Sequence, residues 1–168
     1  DGYTQPGASV NTLADGFNAV LKIVLDGVSA GAGIEGLKLA QAGNVVLGLN
    51  IIRFGGEGIE VNTAGRNTIA GNLIGLGLDG TDQGNGANGV RIVSCASNTI
   101  GGLAPATRNV ISGNQSDGIE ISGVTATGNL IAGNFIGLGL TGASDLGNSA
   151  EGVLVTSVFT TGSWLWGA

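Results

Sequence analysis

Apolar and polar positions alternate along this chain in short bursts, and each burst opens on a glycine. The tetrapeptide glycine, apolar, any residue, apolar recurs as Gly36-Leu37-Lys38-Leu39, Gly58-Ile59-Glu60-Val61, Gly89-Val90-Arg91-Ile92, Gly118-Ile119-Glu120-Ile121 and Gly152-Val153-Leu154-Val155, the copies lying 22, 31, 29 and 34 residues apart. Two asparagine-led elements follow each of the first four. One is Asn44-Val45-Val46, Asn67-Thr68-Ile69, Asn98-Thr99-Ile100 and Asn129-Leu130-Ile131; the other is Asn50-Ile51-Ile52, Asn72-Leu73-Ile74, Asn109-Val110-Ile111 and Asn134-Phe135-Ile136. A period of two with β-branched residues predicts strands, and no segment carries a convincing helical period. Strands this short cannot bury their apolar faces singly, but they can when successive coils stack. The pattern therefore predicts an all-β fold, a parallel β-solenoid with three sheets and about five to six coils. At ~4.8 Å per coil the rod is roughly 30 Å long.

Stacking turns each repeat position into a column. The predicted inward columns are Leu37, Ile59, Val90, Ile119, Val153; Leu39, Val61, Ile92, Ile121, Val155; Val46, Ile69, Ile100, Ile131; and Ile52, Ile74, Ile111, Ile136. Asparagine suits the corners, because it tolerates left-handed backbone and its amide can bond the coils above and below. The outward column Lys38, Glu60, Arg91, Glu120, Leu154 alternates in sign from coil to coil. Opposite charges in register on a sheet stabilise it by ~0.2–1 kcal/mol per pair, so a structural ladder accounts for charges that could otherwise look catalytic. The strings Ile74 to Leu78 and Ile136 to Leu140 each lead into a polar, glycine-rich loop on one side of the rod. The loop from Gly102 to Thr107 leaves from a different corner.

Composition narrows the chemistry. Of 168 residues 34 are glycine and 42% are hydrophobic, enough for a core. Only 11% are charged, the net charge is −6, and the six bases are scattered, which argues against a nucleic-acid partner. No apolar run reaches the ~20 residues of a membrane span, so no membrane partner is expected. The absence of histidine removes the usual general base and the commonest metal ligand, and the single Cys95 excludes an internal disulfide or a cysteine-rich zinc site. Cys95 is expected to be a small turn or core residue.

Several motifs match chemistry by spacing alone. Gly27-Val28-Ser29-Ala30-Gly31 fits the nucleophile elbow, but no histidine can complete a triad. Gly31-Ala32-Gly33-Ile34-Glu35-Gly36 fits the dinucleotide fingerprint, but it runs into a predicted strand instead of the helix that would hold a pyrophosphate. Gly55 to Glu60 resembles a single calcium-binding nonapeptide without a stacked second copy. Asp79-Gly80-Thr81-Asp82 offers two loop carboxylates, more simply read as a turn held by its own side chains. Asn114-Gln115-Ser116 is a glycosylation sequon. No catalytic residue, cofactor or metal site is assigned.

The strings DGYTQPGAS at 1–9, LDGVSAGAGIEGLKL at 25–39, NTIGG at 98–102, RNVISGN at 108–114 and GNLIAGNFIG at 128–137 resemble bacterial right-handed parallel β-helix repeat proteins of the pectin-lyase-like superfold. The resemblance covers residues 1 to about 157. It implies a fragment of a longer secreted or cell-surface protein. Residues 1–157 are expected to form the β-helix and 158–168 a C-terminal tail. In that tail Phe159, Trp164, Leu165 and Trp166 are expected to cap the stack or to join two chains as a homodimer. The favoured expectation is a non-catalytic structural or adhesive segment. The alternative is a carbohydrate-binding or polysaccharide-cleaving module whose active surface is incomplete in this chain.

Overall fold

The computed structural model describes residues 1–156 and the strand 164–165. Five coils stack. The first holds β1 (Ile23–Asp26), β2 (Leu37–Leu39) and β3 (Val45–Leu47), and the second β4 (Leu49–Ile52), β5 (Ile59–Asn62) and β6 (Thr68–Ala70). The third holds β7 (Leu73–Ile74), β8 (Val90–Val93) and β9 (Thr99–Gly101), and the fourth β10 (Val110–Ile111), β11 (Ile119–Ser122) and β12 (Leu130–Ala132). The fifth is made of β13 (Phe135–Ile136), β14 (Val153–Thr156) and β15 (Trp164–Leu165). Every third strand joins the same sheet, giving sheets β1-β4-β7-β10-β13, β2-β5-β8-β11-β14 and β3-β6-β9-β12-β15, in which every pairing is parallel. The protein is a three-sheet parallel β-helix.

The glycine that opens each repeat is required by the coil above it. A Cβ at Gly36, Gly58, Gly89 or Gly118 would stand 2.5–2.7 Å from the carbonyl oxygen of the next repeat glycine in the column, so only glycine lets the coils close at this corner. Inside, Ile59, Val61, Ile69, Ile74, Val90, Ile92, Ile100, Ile111 and Ile119 are fully buried in one continuous core, with Cys95 among them. The columns Leu37 to Val153 and Lys38 to Leu154 stand in single file, as do Val45, Thr68, Thr99 and Leu130.

One column differs from the sequence expectation. Ile51, not Ile52, stacks on Ile74, so Asn50 aligns with Leu73 and Leu49 takes the position of Asn72. The reason is the distance around the corner. Val46 to Ile51, Ile69 to Ile74 and Ile131 to Ile136 are all five-residue steps, whereas Ile52 would need six. The asparagine ladder at that corner consequently starts at Asn72, whose Oδ1 accepts from Leu49 N–H, and runs through Asn109 to Asn134. A second ladder runs Asn44, Asn67, Asn98, Asn129. A third, Asn85, Asn114, Asn148, does not carry an apolar strand behind each asparagine and so escaped the repeat pattern.

A second apolar cluster lies outside the coils. The outward residues of the first sheet run Val24, Asn50, Leu73, Val110, Phe135. Phe17 and Leu21 of the N-terminal segment cover Leu73 and Val110, with Tyr3, Phe135, Leu140 and Leu146 around them.

Candidate functional site

The outward face of the second sheet gathers most of the rod's paired charge. Lys38 Nζ lies 3.2 Å from Glu60 Oε2 and 3.6 Å from Glu35 Oε1. Arg91 lies 3.0 Å from Glu120 and 3.9 Å from Glu57. Each base therefore serves two carboxylates. In the column Lys38, Glu60, Arg91, Glu120 the pairs Lys38–Glu60 and Arg91–Glu120 form across coils, as the alternating signs anticipate, whereas Arg91 reaches Glu57 in place of its in-register neighbour Glu60.

A parallel column was not anticipated. Glu35, Glu57, Asn88, Asp117 and Glu151 each stand immediately before a repeat glycine, and the N–H groups of Gly36, Gly58, Gly89 and Gly118 donate to the backbone carbonyl of the column residue one coil on, at 2.9 Å in all four cases. The signal was present in the sequence one position upstream of the motif. Its effect is that acidic residues do meet on this face. Carboxylate oxygens of Glu35, Glu57 and Glu60 lie within 4.8 Å of one another, with Lys38 and Arg91 as their counter-charges.

Environment sets the acidity of these groups. Burial pushes the Glu60 carboxyl up, but the hydrogen bonds it accepts from Asn62 and Lys38 and the Lys38 charge help hold the group below the usual carboxylate range. The hydrogen bond to Glu60 raises Lys38 above its ordinary value. Asn88 Nδ2 donates to Glu120 at 2.9 Å, and its Oδ1 accepts from Asp117 N–H at 2.9 Å. Asp117 repeats that last bond, its Oδ1 accepting from Glu151 N–H at 3.0 Å. Burial, followed by the neighbouring Glu151 carboxyl, raises the Asp117 pKa.

A shallow cleft of about 380 Å³ opens on the first sheet beside the exposed Val24 and the buried Asn50. Ile52, Arg53, Leu78, Asp79, Thr81 and Gln83 complete its walls. Most of its polar atoms are already engaged. Arg53 is ion-paired with Asp26, whose carboxyl that hydrogen bond holds below its ordinary value, and Asp79 Oδ1 accepts from both Thr81 N–H and Thr81 Oγ1. The exception is Asn50, whose Nδ2 donates to the Leu73 and Leu76 carbonyls while its buried Oδ1 has no partner among the described residues.

The remaining motifs are absorbed by the fold. Gly27 to Gly31 is a turn closed by Ala30 N–H to the Gly27 carbonyl, and Gly31 to Gly36 leads straight into β2. The sequon residue Asn114 is fully buried, its Nδ2 donating to Asn148 Oδ1, so the atom that would carry a glycan is inside the rod. Burial pushes the Cys95 thiol up, opposite to what a nucleophile requires. Of the four tail residues singled out above, Trp164 and Leu165 form β15, paired with Leu130 and Ile131 of β12. Phe159 and Trp166 lie outside the described residues. Among the described residues no helix is long and apolar enough to cross a membrane. No family model matches this chain, and neither a curated protein nor a solved structure matches it.

Proposed function

We propose that this chain is a non-catalytic structural or adhesive segment of a larger secreted or cell-surface protein of the bacterial, pectin-lyase-like, right-handed β-helix type. It self-associates as a homodimer through the open end of its stack, with Phe159, Trp164, Leu165 and Trp166 at the contact. The supporting observation is that both bases on the charged face are shared between carboxylates of neighbouring coils, so neither is left as a proton acceptor. The open end is supported by burial: Ile136 and Val153 at the top of the stack are only half-buried, whereas Ile59, Val90 and Ile119 in its middle are fully buried. A second reading, a carbohydrate-binding or polysaccharide-cleaving module, is favoured by the convergence of Glu35, Glu57 and Glu60 and by the cleft of mixed polar and apolar lining beside Asn50.

A lyase screen with uronate-containing and neutral polysaccharides, run beside a glycan array and light scattering, separates the two. The structural reading expects neither cleavage nor glycan retention, and a dimer. Cleavage by the native chain that disappears in Glu60→Gln, Arg91→Ala or Glu120→Gln overturns it. A strictly monomeric chain with both tryptophans open to quenching removes the self-association.

A further inference from the structure

We propose that the seam between the fourth and fifth coils is an acid-tightened latch, in which Asp117 and Glu151 share a proton and hold β14 more firmly against β11 as pH falls. The argument starts from the charge present at each seam of the second sheet. The first-to-second seam has Lys38 between Glu35 and Glu60, and the second-to-third and third-to-fourth seams share Arg91, which reaches down to Glu57 and up to Glu120. At the last seam the alternation stops. Leu154 stands opposite Glu120, and Glu151 stands opposite Asp117.

Asp117 is 4% exposed, so water does little to screen it. The groups facing it are Asn88 from the third coil, which accepts from its N–H, and Glu151 from the fifth, whose N–H donates to its Oδ1. Glu120 on its own coil is engaged with Arg91 and Asn88, and residues 157–168 contain no ionisable side chain. Asp117 is buried and Glu151, in register one coil on, is exposed; two carboxylates stacked in this way repel when both are ionised, and a single proton on Asp117 turns the repulsion into a hydrogen bond. The raised pKa of Asp117 fits this geometry, burial first and the Glu151 side chain second, the two together outweighing the lowering effect of the Glu151 N–H bond. The sign follows. A carboxyl whose pKa is raised by folding keeps its proton at a pH where the unfolded chain has lost it. The contribution is therefore complete below the ordinary carboxylate range and is lost as pH rises through the folded value.

Hydrogen exchange on the whole chain, corrected for the intrinsic pH dependence of exchange, reads this directly. Protection of the β14 amides Val153 to Thr156 is expected to rise about 3- to 10-fold from neutral pH to about pH 4, where an ordinary aspartate is half-protonated. The β11 amides Ile119 to Ser122 serve as the internal reference. In Asp117→Asn, which keeps the acceptor Oδ1, β14 protection at neutral pH is expected to match the native chain in acid and to show no further rise. Glu151→Gln, altered at an exposed side chain, is expected to flatten the profile in the same way if the first variant folds poorly. Native β14 protection that is flat or falls on acidification relative to β11 overturns the latch. A pH rise that survives in both variants does the same.

Discussion

Asn98 is bonded in both directions along the rod. Its Oδ1 accepts from Asn67 N–H and Nδ2, both at 3.0 Å, while its own N–H and Nδ2 donate to Asn129 Oδ1, both at 2.9 Å. Asn98 is fully buried, so its removal leaves the Asn67 N–H with no water to turn to and Asn67 Nδ2 with only its bond to the Ala64 carbonyl. Leaving a buried polar group unsatisfied costs about 1–3 kcal/mol. Asn98→Ala is expected to destabilise the fold by roughly 2–4 kcal/mol, measured as a lower denaturant midpoint with an unchanged slope. A loss below about 0.5 kcal/mol would show that the ladder does not bear on stability. Columns of this kind are legible in sequence because the amide must recur at a fixed offset from an inward apolar residue. Asn50 broke the reading. It precedes two isoleucines, either of which satisfies the motif, and only the step length around the corner decides which one turns inward.

At the scale of the sheets, the charged face tests whether the ladder stabilises the coils that it joins. Glu60 is held below the usual carboxylate range in the folded chain, its burial opposed by hydrogen bonds and the Lys38 charge. A carboxyl with a lowered pKa contributes stability above its unfolded value, and that contribution is lost as pH falls through the folded one. The native chain is therefore expected to lose stability on acidification through and below the carboxylate range. Glu60→Gln should lie below it at neutral pH and converge with it in acid, which a series of denaturation curves across pH resolves. Parallel curves would mean that the Glu60 charge plays no part. Lys38, Glu60, Arg91 and Glu120 were legible because they occupy the variable position of the tetrapeptide. Glu35, Glu57, Asp117 and Glu151 were not, because a residue just before a glycine reads as turn punctuation until the coils are stacked. The missing base at the last seam becomes visible only when both columns are set side by side. Acid is thus expected to act with opposite sign at the two ends of the same sheet.

For the molecule as a whole, the N-terminal segment turns a bare stack into a two-cluster fold. Residues 1–22 cross the outside of the first sheet. Tyr3 Oη donates to the Gly71 carbonyl at 2.6 Å, Phe17 N–H donates to the Leu140 carbonyl at 2.7 Å, and Arg108 donates to the Leu13 and Gly16 carbonyls while lying 4.2 Å from the centre of the Phe135 ring. Sequence reading found none of this. Phe17 and Leu21 have no partner repeat, and the column they cover interleaves with inward residues on strands as short as two residues. Burial raises the Tyr3 hydroxyl to about 12. The folded chain then keeps a proton that an unfolded tyrosine gives up near pH 10, so the tie is complete below that value and weakens as pH climbs toward the folded one. Raising the pH through this window is expected to free the segment before the coils open, seen as tyrosinate absorbance together with new proteolytic cleavage before residue 22. In Tyr3→Phe that alkaline step should vanish, because no proton is left to lose. Phe17→Ala is expected to cost about 3 kcal/mol and to bring cleavage at neutral pH. If the segment stays protected in Phe17→Ala, the apolar cover is not what holds it to the rod, and the backbone and Arg108 hydrogen bonds must do so instead.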